Sequence, residues 1–204
     1  MRNLETSSKK LHVVQTTIQL ITIHGFHHVG VDLIVKETQI AKGTLYNYFH
    51  SKERLIEMCI AFQKSLLKEK VLSIIYSNHY RTPIDKLKEK VLSIIYSNHY
   101  RTPIDKLKEI VVFHANLNSL YNFLLKAIFE IKLLYPQAYR MAVEYRKWLL
   151  HEIFDLIFSG ETREAKFDAH MVVNLIDGLL LQVLSLNSLE ERDAVMEQFF
   201  KISV

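Results

Sequence analysis

Between residues 42 and 55 the chain reads Lys42-Gly43-Thr44-Leu45-Tyr46-Asn47-Tyr48-Phe49-His50-Ser51-Lys52-Glu53-Arg54-Leu55. Lys42, Thr44, Tyr46 and Asn47 offer ammonium, hydroxyl and amide donors of the kinds that reach DNA base edges and phosphates. Gly43 removes a side chain where backbone would approach a duplex closely. At helical spacing Leu45 and Phe49 fall on the opposite side, where they would anchor the segment to a core. Other chemistry finds less support. His24, His27 and His28 cluster without the carboxylate or thiolate pattern of a metal site, so no metal is expected. Cys59, the single cysteine, excludes an intrachain disulfide and a cysteine zinc site. There is no Ser-His-Asp, paired-carboxylate or phosphate-loop signature, so neither an enzyme nor a cofactor is expected.

The flanking pattern supplies helices to position these groups. In residues 8–24, Leu11, Val14, Ile18 and Ile21 recur at helical spacing, and Gly25 is placed to end the helix in a left-handed conformation. Two short segments, 31–37 with Val31, Ile34 and Val35, and 42–48, are joined only by Thr38-Gln39-Ile40-Ala41, which predicts a helix-turn-helix. Ser51 is placed to cap a helix running to about Tyr80, with Glu53 in its first turn. Thr82-Pro83-Ile84-Asp85 and Thr102-Pro103-Ile104-Asp105 are both helix starts. Helices follow towards Leu134, from Pro136 to about Ser159 before Gly160, and over 168–186. Ser188-Leu189-Glu190-Glu191 opens a last one bearing Val195, Phe199 and Ile202. With five Gly, three Pro and no sustained two-residue alternation, the expected fold class is all-α.

The run from Gly43 to Leu55, with Gly25-Phe26, Val31, Ile34 and Ile40 before it, resembles the DNA-binding domain of the tetracycline-repressor-like (TetR) family, whose pattern is roughly G-T-L-Y-x-Y-F-x-S-K-E-x-L. The likeness covers about residues 8–58, and Asp177-Gly178-Leu179 is similar to a weaker family feature. It departs in having Thr38-Gln39 for the usual Ala-Gly of the turn, Ala41 for the usual Ser or Thr cap, and Val29 for Thr, with Gly30 left as the cap. The resemblance implies a DNA-binding domain over residues 1–50 and a helical ligand-binding and dimerisation bundle over 51–204. It implies that Tyr48 and Lys52 hold phosphates beside Lys42, Gly43, Thr44, Tyr46 and Asn47. It also implies an effector cavity, for which His114, Asn118, Asn122 and Tyr145 are the polar candidates. A mostly neutral, aromatic-rich lining suits an apolar or amphipathic ligand. The expected function is a repressor released from its double-stranded DNA operator by such a ligand. The alternative is a DNA-binding organiser whose C-terminal domain meets a protein and no small molecule.

Two adjacent amphipathic helices, 168–186 and 189–202, predict a homodimer through a four-helix interface, with Leu175, Leu179, Gln182, Val195 and Phe199 as contacts. The net charge of +4 is modest, but residues 1–55 hold seven Lys or Arg against four Asp or Glu, which suits phosphate contact. No apolar run reaches about 18 residues, and the first residues lack the apolar core of a signal peptide. A cytoplasmic protein, off the membrane, is therefore expected. Residues 68–87 and 88–107 are identical. Solenoid repeats keep a pattern rather than every surface residue, so this is a tandem duplication. It predicts one extra helix near 83–101, with Ile84, Leu87, Val91, Ile94 and Ile95 at helical spacing.

Overall fold

The computed structural model describes residues 2–76, 102–115, 120–157 and 163–185, with positions 194, 195 and 198. All regular structure among the described residues is helical, in eight helices: α1 Arg2–His24, α2 Val31–Thr38, α3 Lys42–Phe49, α4 Lys52–Ile75, α5 Pro103–His114, α6 Leu120–Glu130, α7 Pro136–Ile157 and α8 Arg163–Ser185. The all-α expectation holds. The extra helix expected near 83–101 and the last helix from Ser188 lie outside the described residues.

Local chemistry explains the boundaries. Gly25 ends α1 at φ +81°, its N–H donating to the Ile21 carbonyl at 2.8 Å. Gly30 and Ala41 precede α2 and α3 in extended conformation, and neither supplies a side-chain cap. Gln39 takes the left-handed conformation (φ 53°, ψ 33°) that glycine adopts without strain. Ser51 caps α4, its Oγ accepting from the Arg54 N–H at 3.1 Å. Between α3 and α4, His50 has φ 65° and ψ −38°, and the Ser51 N–H donates to the Phe49 carbonyl at 2.7 Å. That is a γ-turn centred on His50, a tight and strained way to reverse the chain. Of the two Thr-Pro-Ile-Asp starts, the second is a complete capping box: the Asp105 N–H donates to Thr102 Oγ1, and the Thr102 N–H donates to the Asp105 carboxylate.

The chain divides into two units. The first comprises Met1–Leu67 and Asn118–Leu149. Here α1 packs on α2 and on α6, and α2 packs on α3. Its core holds Val13, Val14, Ile18, Ile21, Phe26, Ile34, Leu45, Phe49, Leu55, Ile56 and Ile60, with Phe123 and Leu124 from α6. On α1, Leu11 is exposed, and Val13 and Thr17 take the inward places beside Val14 and Ile18. Three contacts fasten α6 to the end of α1. The Phe26 N–H donates to Glu130 Oε2 at 2.7 Å, Lys126 Nζ donates to the Thr22 carbonyl, and the Phe26 and Phe123 rings meet at 5.3 Å. A lysine on the last carbonyls of a helix also suits the negative end of its dipole.

The second unit comprises Lys68–Leu117 and Leu150–Val204. Its α5 packs on α8, burying Leu107, Ile110 and Val111 with Val172, Val173, Ile176 and Leu180. The end of α4 is tied to the start of α5: Lys106 Nζ donates to the Ile75 carbonyl at 2.6 Å, and Lys70 pairs with Glu109 at 3.7 Å.

Candidate nucleic-acid interface

On α3 the two faces separate as its spacing requires. Leu45 and Phe49 are fully buried, while Lys42, Gly43, Tyr46 and Asn47 are exposed and Thr44 and Tyr48 half-buried. Ile34 on α2 closes the same core, so α3 is held from behind and offers its polar side outward. Gly43 has open space where a side chain would stand. The Tyr48 ring lies edge-on to Phe49 at 6.1 Å, and Lys10 Nζ of α1 sits 5.5 Å from its centre. Tyr48 is thus part packing residue and part platform for a cation. Lys52 Nζ stands 5.6 Å from the Tyr135 ring centre. The Lys42 ammonium pairs with Asp32 of α2 at 2.8 Å. Its hydrogen bond to that carboxylate, and then the carboxylate's charge, raise it above the ordinary lysine value.

Sequence reasoning passed over Lys10 and Asp32. Each acts across helices, between α1 and α3 or between α2 and α3, and such pairs leave no trace in the period of one helix. The other candidates are distributed as follows. Asn122 and Tyr145 are buried in the first unit, where the Tyr145 ring meets Tyr121 at 6.0 Å and Trp148 at 5.5 Å. Burial raises the Tyr145 phenol above its usual value. His114 is buried in the second unit with its Nδ1 2.8 Å from the Ile110 carbonyl, and burial lowers its imidazole to about 4. Asn118 and Phe199 lie outside the described residues. Of the dimer set, Leu179 is 2 % exposed within its own chain. On the same helix Leu175 is half-buried, Met171 is exposed, and Gly178 has open space beside it. Val195 is exposed, and Gln182 belongs to α8.

His27 and His28 are exposed, and no metal-binding group of three His, Cys, Asp or Glu occurs among the described residues. Cys59 is buried, and desolvation pushes its thiol well above the ordinary range, which makes it a poor nucleophile. Among the described residues no helix is long and apolar enough to cross a membrane.

Residues 13–59 match the family model of bacterial regulatory proteins, tetR family. No curated protein matches the chain. Among solved structures, the reduced form of Escherichia coli NemR is 17% identical, covers 93% of this chain and 94% of its own, and superposes with a TM-score of 0.71. A TetR-family regulator from Cytophaga hutchinsonii is 13% identical over 97% of this chain and 94% of its own, with a TM-score of 0.73. A putative transcriptional regulator from Saccharomonospora viridis, in complex with choline, is 17% identical over 96% of both chains, with a TM-score of 0.70. At these identities the likeness establishes the fold, and the match over 13–59 establishes the reading head. Residues 13–59 therefore form a DNA-binding domain of the kind found in bacterial regulatory proteins of the tetR family, and the chain as a whole shares the fold of such regulators.

Proposed function

We propose that the protein is a cytoplasmic, homodimeric repressor that leaves its operator when a small apolar or amphipathic ligand binds. In this reading residues 1–50 read DNA and residues 51–204 bind ligand and partner. Each protomer lays α3 in a major groove, with Lys42, Thr44, Tyr46 and Asn47 at base edges and Tyr48 and Lys52 at phosphates. One observation carries the regulatory half. The helix α6 bears Asn122 and Tyr121, buried beside Tyr145, and its Lys126 and Glu130 grip the end of α1. A ligand that displaces the first half of α6 therefore acts on the DNA-reading domain through groups already in contact. A structural neighbour crystallised with choline supports a small-molecule effector. The helix α4, which starts two residues after α3, is the second lever. A ligand shifts the equilibrium only if it binds the spread form better than the DNA-competent form.

The organiser reading draws on exposed apolar side chains, Phe129 at 65 % and Leu133 at 91 %, which suit a protein partner. Selection of bound duplexes from a random library, followed by a thermal-shift ligand panel, tests the proposal. A compound that raises Tm and releases the selected operator is the expected result. A Tm-raising compound that leaves operator affinity unchanged would sink the repressor mechanism.

A further inference from the structure

We infer that Asp32 is a specificity-determining residue of the DNA-reading face, holding the Lys42 ammonium back from duplexes of the wrong sequence. The inference rests on the reading of α3 as the base-contacting helix. Lys42 opens α3, Asp32 lies in the first turn of α2, and Lys42 Nζ stands 2.8 Å from Asp32 Oδ1. Both side chains face solvent, Asp32 at 86 % and Lys42 at 55 %, so the pair stands on the surface rather than in the core. Gln39, in the left-handed conformation at the end of α2, lies in the turn between the two helices.

The consequence follows from what a lysine does on DNA. A free ammonium contacts a phosphate on any duplex, releases a counterion, and adds to binding without regard to sequence. With Asp32 beside it, that charge is already offset. Lys42 then adds little on random DNA. An exposed pair is weakly held, so a better partner breaks it. Guanine O6 and N7 are such a partner, since their geometry is fixed and they accept from lysine. The cytosine N4 amine of the same base pair is a donor that a carboxylate accepts from. A G·C pair thus presents acceptor and donor side by side, matching the neighbouring donor and acceptor of Lys42 and Asp32. Asp32 removes affinity where sequence is wrong and restores it where one G·C pair is right.

The test begins by selecting an operator with the wild-type chain from random duplexes. Affinities for that operator and for a scrambled duplex are then measured across a salt series for wild type, Asp32→Asn, Lys42→Gln and the double variant. Asp32→Asn is expected to tighten scrambled binding about five- to tenfold at low salt and steepen its salt slope by about one unit. Operator affinity should change less than about twofold, since the Asn amide oxygen still accepts from the cytosine amine, so the specificity ratio falls, and the preference for G·C at one position weakens. In the Lys42→Gln background the same change should move scrambled binding at most about twofold, because the effect runs through Lys42. Equal tightening on both duplexes, or no change on either, would overturn the inference while leaving the DNA-reading role standing. A library from which nothing is enriched would overturn that role, and the inference with it.

Discussion

The carboxylate of Glu130 accepts a hydrogen bond from the backbone N–H of Phe26 at 2.7 Å, across 104 positions of sequence. It closes the end of α1 at the point where Gly25 has turned the chain left-handed, and a Cβ on Gly25 would stand 3.1 Å from the same carboxylate. Two different variants therefore break one joint. Glu130→Ala strands the amide and should cost about 1–2 kcal/mol in chemical denaturation. Gly25→Ala adds a left-handed strain to the crowding and should cost at least about as much. Glu130→Gln keeps an acceptor and should recover most of the loss.

Phosphate contacts and base contacts separate by their response to salt. Lys52→Ala, and likewise Lys10→Ala, should weaken binding to every duplex and flatten the salt slope by about one unit. Asn47→Ala should instead change which sequences are preferred. Fluorescence anisotropy against salt concentration checks both. If Lys52→Ala left affinity and slope unchanged, the docking of α3 and α4 on the duplex would be wrong.

His114 makes the fold acid-sensitive. Its imidazole protonates only near pH 4 in the folded protein, because burial penalises the cation, against an ordinary 6.5. Between those values the unfolded chain binds the extra proton, so stability is complete above about pH 6.5 and falls as the pH is lowered towards 4. The full effect is on the order of 3 kcal/mol. His114→Leu should flatten the loss of Tm between pH 7 and pH 5, and an unchanged slope would show that other groups cause it.

Thr17 is fully buried, and its hydroxyl has no hydrogen-bond partner. Thr17→Val replaces it with a methyl of nearly the same size. Stability should rise by about 1 kcal/mol, read as a shift in the denaturation midpoint with unchanged m-value. A loss would mean that the hydroxyl is satisfied in solution.

The duplication adds chain between two helix ends that are already tied, Ile75 to Lys106 and Lys70 to Glu109. Removing residues 88–107 gives the same sequence as removing 82–101, and it shortens the connection from residues 77–101 to residues 77–81. By chain-closure entropy alone, a fivefold shorter connection saves at most about 1.4 kcal/mol. The deletion chain should therefore fold with equal or greater stability by thermal denaturation. An intact mass of 24.0 kDa would confirm that the parent carries both copies. A deletion chain that fails to fold would show that the second copy is structurally required.

What the sequence revealed is what periodicity and caps encode. Leu45 and Phe49, four apart, had to turn inward together, and Thr102 with Asp105 had to open a helix. Gln39 was more difficult, since a glycine position filled by another residue does not say whether the turn survives, and here it does. The inward face of α8 was ambiguous because the helix is apolar on more than one side. Leu179 joined Val172, Val173, Ile176 and Leu180 in the chain's own core, leaving Met171 and Gly178 outside. On α1, Leu11 and Val13 are both apolar and differ in angle, and it is Val13 that is buried and Leu11 that is exposed. The joint at Glu130 and the pair at Asp32 link residues distant in sequence or in element, and no local pattern records them.

The γ-turn at His50 leaves only His50 and Ser51 between the recognition helix and α4. A coupling that short has no backlash. Any rotation of the first turn of α4 reaches α3 undamped, and no slack residue absorbs it. The same stiffness gives the joint a failure mode: one glycine inserted after His50 would act as a clutch, leaving a protein that still reads DNA while a movement of α4 no longer reaches α3.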